Sequence, residues 1–62
     1  MLRDQNHLNE LWSAWIASPG AERFGQYVLN RTEEPRLKEH FYARDNHAVW
    51  CSMLEYLYLR DG

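Results

Sequence analysis

His47, Cys51 and Glu55 recur at i, i+4 and i+8 near the end of the chain, so on a helix they lie along one face. These side-chain types ligate zinc, and His7, His40 and Asp45 enlarge the pool of possible ligands. A structural zinc site needs four ligands, commonly in paired short spacings such as C-x₂-C or H-x₃-H, and neither pairing is present. The expectation is a solvated His47 beside a packed Cys51, with no metal and no other cofactor. The same pair could serve as nucleophile and base, but catalytic Cys–His pairs need a cleft and an orienting third group. A tiny helical domain rarely encloses one. Gly20 and Gly25 match neither glycine-rich phosphate-binding pattern. The chain is therefore expected to be non-catalytic.

Other side chains have the chemistry of recognition. Arg23, Gln26 and Asn30 are spaced i, i+3, i+7 and form one polar ridge on a helix. Such a ridge is either an ordinary solvated face or a hydrogen-bonding strip, since guanidinium and amide heads are planar and directional. Aromatic residues carry a similar choice. Trp12, Trp15, Phe24 and Trp50 fit a core. Tyr42, Tyr56 and Tyr58, with Val49 beside them, fit an edge where a phenol keeps its hydroxyl wet and an apolar body meets a partner.

Helices must position these groups, because no segment alternates as a strand does. Leu8, Leu11, Trp12, Trp15 and Ile16 form one stripe of a first helix, about Asp4 to Ala17. Ser18 and Pro19 suit the N-cap and first position of a second helix, which buries Phe24, Tyr27 and Val28 beside Arg31. Gly25 sits within it, where a close crossing by another element explains a residue that disfavours helix. Thr32 can cap a short helical turn with Pro35 in its first turn. Leu37 and Phe41 face inward there, and Glu34 and Lys38 pair on the outer side. Asp45 or Asn46 caps a last helix reaching about Arg60, with Asp61-Gly62 as its stop signal. Trp50, Met53, Leu54 and Leu57 form its core stripe. Val49 and Tyr56 flank that stripe on one side, and Cys51 and Tyr58 on the other. The apolar arc spans about 220°, wider than one packed face requires.

Composition sets the outer bounds. Sixty-two residues make one helical domain, 1–62. Cys51 is the only cysteine, so no disulfide can form within the chain and a reducing compartment is expected. The polar opening from Met1 to His7 lacks the apolar stretch of a signal peptide, and no apolar run approaches the roughly 20 residues of a membrane span. A cytoplasmic location follows, with no membrane partner. Nine acidic and seven basic residues give a formal charge of −2, mixed along the chain. That balance supplies no phosphate-binding field, so direct nucleic-acid binding is not expected. An aromatic content of 15%, with three Trp, is unusual: large aromatics dominate small cores, and they also anchor protein interfaces.

The run Arg23-Phe24-Gly25-Gln26-Tyr27-Val28-Leu29-Asn30, followed by Phe41-Tyr42-Ala43-Arg44-Asp45, resembles a group of short uncharacterised bacterial and phage proteins. These carry R-[FL]-G-Q-x-x-x-N and then F-Y-x-x-D before a final helix. The likeness runs from about Leu8 to Leu57, and Ala43-Arg44 stands where an acidic pair is more typical. What it implies is context: small phage and mobile-element proteins bind and block or redirect host proteins such as defence nucleases and transcription machinery.

The expected architecture is all-α, a compact bundle of three main helices plus a short helical turn near Pro35 to Tyr42. The expected function is a protein-binding module, an inhibitor or modulator of a host protein of the anti-defence or host-takeover type. The alternative is a structural or regulatory homodimer, and the third reading is a small metal- or nucleic-acid-binding regulator. The expected contact residues are Arg23, Gln26, Asn30, Tyr42, Val49, Tyr56 and Tyr58.

Overall fold

Asp4 sets where the first helix starts. A computed structural model describes residues 1–18 and 20–61, and in it Asp4 is extended just before α1, Gln5–Ala17. Its Oδ1 accepts the His7 N–H at 2.9 Å, satisfying one of the donors that a helix start leaves unpaired. Leu8 is fully buried in the α1 stripe. Leu11, Trp12 and Trp15 are half-buried against the core, and Ile16 is exposed.

The segment expected to open the second helix instead closes the first. Ser18 donates its N–H to the Ala14 carbonyl at 3.2 Å as the C-cap of α1. The physical reason lies in the proline that follows: the residue before Pro is pushed out of the α region, so Ser-Pro ends a helix as well as it begins one. The expectation for Pro19 itself falls outside the described residues. The second helix, α2, covers Phe24–Thr32. Its cap comes from the far end of the chain, where the Asn46 Oδ1 accepts the Phe24 N–H at 3.0 Å.

Phe24, Gly25, Val28, Leu29 and Thr32 are the buried residues of α2. Tyr27, expected inside, is half-buried beneath the Arg31 guanidinium, 3.5 Å above its ring centroid. Thr32 does not cap the next element. Its hydroxyl donates back to the Val28 carbonyl at 2.8 Å inside α2. Glu33 then reverses the chain at φ 53°, a left-handed conformation that costs about 1–2 kcal/mol for a residue with a Cβ. A 3₁₀ segment follows over Pro35–His40, with Leu37 buried and Phe41 half-buried beyond it, as the inner face requires. Gly25 is pressed against this segment. A Cβ there would lie 2.0 Å from the His40 carbonyl oxygen, so the close crossing expected at this glycine is present.

The last helix, α3, spans Asn46–Asp61. Asp45 caps it, Oδ1 accepting the Ala48 N–H at 3.1 Å and the carbonyl accepting the Val49 N–H at 3.0 Å. Gly62, half of the expected stop signal, lies outside the described residues. Arg60 meets Leu2, and Trp12 meets Trp50, so α3 runs antiparallel to α1. Val49, Met53 and Leu57 form its fully buried line, while Trp50 and Leu54 are half-buried. The core stripe is thus rotated toward Val49 relative to the expected one. Leu2, Leu8, Phe24, Val28, Leu29 and Leu37 complete the core around that line. The protein is an all-α bundle of three main helices and a short 3₁₀ segment, without strands among the described residues. Among the described residues, no helix is long and apolar enough to cross a membrane.

Candidate partner-binding surface

The expected contact residues divide into core, edge and groove. Val49 is core. At 2% exposure it cannot touch a partner, because the rotation of α3 turns it inward between Met53 and the rest of the apolar cluster. Tyr56 is half-buried, and its hydroxyl is committed: it donates to Glu34 Oε1 at 2.9 Å. Tyr42 and Tyr58 are both 80% exposed. They do not form one patch, since Tyr42 precedes α3 and Tyr58 lies near its far end, about 18 Å along the axis at 1.5 Å per residue.

The polar ridge is not a continuous free strip. Arg23 stands just before α2 in extended conformation, and its Nη1 donates to the Tyr42 carbonyl at 3.4 Å. Asn30 donates to Glu22 Oε2 at 2.6 Å, with Arg31 also 3.5 Å from that carboxylate. Gln26 is half-buried between them. What the fold does bring together is Asn30 and Tyr42. Both line a groove between the end of α2 and the 3₁₀ segment, with Leu29 and Phe41 as apolar walls and Glu33 and Lys38 at its sides. The Phe41 and Tyr42 rings pack edge to face, centroids 4.9 Å apart. Arg23 ties the Tyr42 backbone from the other side.

A second exposed surface escaped the sequence. Leu59 is 70% exposed beside Tyr58. The wide apolar arc is the available signal, although Leu59 itself falls outside that arc, on the side that α3 exposes. Its neighbours in space are Ser52, Glu55 and the 3₁₀ residues Arg36 and Glu39, which together edge a shallow mixed groove.

Glu34 was also missed. Its expected place was outside, paired with Lys38, yet it is 1% exposed. The residue before Pro35 is held extended at ψ 106°, which turns Glu34 inward before the 3₁₀ segment begins. Both carboxylate oxygens accept from neutral donors: Oε1 from Tyr56 and Oε2 from the Leu2 N–H at 3.3 Å.

Of the residues with catalytic or metal chemistry, the fold brings Cys51 and His47 together, at the exposed surface of α3. Cys51, expected to be packed, is exposed, and its Sγ lies 3.9 Å from His47 Nδ1 at the surface. The His47 ring stacks on Trp50, centroids 6.0 Å apart. Among the described residues, no three His, Cys, Asp or Glu side chains converge where a metal ion could sit. The tryptophans form a half-buried aromatic cluster around Phe24, with Trp12 edge-on to it at 4.7 Å. The Trp15 Nε1 donates to the Glu22 carbonyl at 3.0 Å, while the Trp50 Nε1 is buried without a partner. No protein-family model, curated protein or solved structure matches the chain.

Proposed function

We propose that the protein is a non-catalytic protein-binding module of the cytoplasm, and that the groove between α2 and the 3₁₀ segment is its contact surface. The observation that carries this reading is Tyr42: a residue 80% exposed, its ring edge-on to Phe41 and its carbonyl accepting from Arg23, that lines an apolar groove. An exposed large aromatic is unfavourable in isolation, and rigid aromatics beside a pocket are the usual anchors of protein interfaces. Asn30 adds a directional amide, and Glu33 and Lys38 supply a polar rim of both signs. The target in this reading is a host protein that the module blocks or redirects, as the likeness to phage proteins implies. Pull-down with wild type and with Tyr42→Ala tests it. A host protein retained by the wild type and lost by the variant, with the helical spectrum unchanged, supports the proposal.

A second reading has its own observation. Tyr58 and Leu59 are adjacent on α3 and 80% and 70% exposed, and apolar surface of this kind on a short helix suits an isologous contact between two copies. Sedimentation of wild type and Tyr58→Glu separates a homodimer from a monomer that captures another protein.

A further inference from the structure

Leu2 is held as a bound peptide residue would be. Its side chain is fully buried, although it precedes every helix. Its backbone is read by two side chains from distant parts of the chain. Glu34 Oε2 accepts the Leu2 N–H at 3.3 Å, and Arg60 Nη1 donates to the Leu2 carbonyl at 2.6 Å. The other arm of the Arg60 fork donates to the Arg3 carbonyl. One acidic acceptor and one planar cationic donor thus read an N–H and two successive carbonyls of the segment that precedes α1. That is the main-chain chemistry with which peptide grooves hold their ligands, the apolar pocket selecting the side chain.

The segment is separable from the helix it precedes. Asp4, not Leu2 or Arg3, caps α1. The remaining ties to α1 are exposed ones, the Arg3 N–H donating to His7 Nδ1 at 3.1 Å and the Arg3 guanidinium 4.0 Å from the Glu10 carboxylate. Releasing residues 1–3 therefore leaves the α1 cap in place, while exposing a pocket lined by apolar core, with Glu34 and Arg60 at its mouth.

We propose that the seat of Leu2 is a peptide-binding site, filled in cis by this segment, and that it accepts an extended segment of a partner protein carrying one bulky aliphatic residue. Burial of that residue, an N–H to Glu34 and a carbonyl to Arg60 define the ligand. The cis segment competes at the high effective concentration of a short tether, so an outside peptide binds the intact chain weakly and a chain with the seat vacated more tightly. The seat shares Glu34 with the Tyr42 groove but depends on Leu2 and Arg60, which do not line that groove.

The test is titration of a fluorescent peptide with the sequence of residues 1–6, capped at both ends, into the full chain and into Leu2→Gly. Binding to Leu2→Gly at least tenfold tighter than to wild type is expected. It should be lost when the peptide's own leucine is replaced by glycine, and weakened in the Leu2→Gly/Arg60→Gln chain. Equal affinity for both chains, or indifference to the peptide's leucine, overturns the proposal. Should Leu2→Gly not fold, Leu2→Ala takes its place with the same expectation. Failure of both to fold makes the segment integral core and also overturns it. Capture through Tyr42 is read separately, so either reading can fail alone.

Discussion

Glu34 and Tyr56 lie 22 positions apart, and the Tyr56 hydroxyl donates to the Glu34 carboxylate at 2.9 Å beneath the surface. This bond ties the entry to the 3₁₀ segment to the outer half of α3. A buried acceptor stripped of its donor keeps its desolvation penalty, about 1–3 kcal/mol. Tyr56→Phe should therefore lower unfolding free energy by about that amount in a denaturant titration, with helix content retained. Loss of less than about 0.5 kcal/mol would mean that water replaces the hydroxyl.

Gly25 sets a different test, because helix propensity and packing oppose each other there. Alanine favours a helix interior by about 1 kcal/mol over glycine. The added Cβ, however, would meet the backbone oxygen of His40 at 2.0 Å, and a backbone atom cannot rotate away. Gly25→Ala is expected to lower the melting temperature despite its propensity, through overpacking of about 1–3 kcal/mol. A variant as stable as wild type would show that the 3₁₀ segment moves freely off α2.

Neighbouring residues cap two different helices. Asp45 caps α3, and Asn46 reaches back to the Phe24 N–H at the start of α2. Asp45→Ala and Asn46→Ala should each cost about 1 kcal/mol. They should do so at different places: amide exchange quickens in the first turn of α3 for the former and of α2 for the latter. Fraying confined to α3 in both variants would contradict the Asn46 contact.

The aromatic cluster divides by burial. Phe24 is fully buried, and Phe24→Ala should cost about 3–5 kcal/mol, which approaches the whole stability of so small a domain. Trp12 and Trp50 are half-buried, so their alanine variants should lose less than Phe24→Ala. Thermal melts of the three variants check this order, and a Trp variant that melts below Phe24→Ala reverses it.

Much of the fold was legible because its signals are local. The stripe from Leu8 to Trp15, the Asp45 cap and the close approach at Gly25 each depend on residues a turn or two apart, or on the absence of a side chain. What was not legible depends on partners distant in sequence. Ser18-Pro19 carries both start and stop information, and only the Asn46 cap decides that α2 begins at Phe24. Glu34 reads as an exposed i, i+4 partner of Lys38, and only the pairing with Leu2 and Tyr56 explains its burial. On α3 the apolar arc is so wide that periodicity cannot choose its centre. Val49, expected at the surface, is 2% exposed, while Leu59, outside the arc, is 70% exposed. For the candidate site, aromatic content and the exposure of Tyr42 and Tyr58 followed from the sequence, but the groove joining Asn30 to Tyr42 needed the packing of α2 on the 3₁₀ segment.

The central claim is that Tyr42 anchors a protein partner. Its most direct measurement is quantitative capture of host protein by immobilised wild type, Tyr42→Ala and Tyr58→Glu, with circular dichroism on each. Truncating an interface anchor typically costs 2 kcal/mol or more, about a thirtyfold loss of affinity. One retained protein is expected, its binding falling by at least that factor in Tyr42→Ala and persisting in Tyr58→Glu, all three chains being equally helical. Undiminished capture by a folded Tyr42→Ala would contradict it.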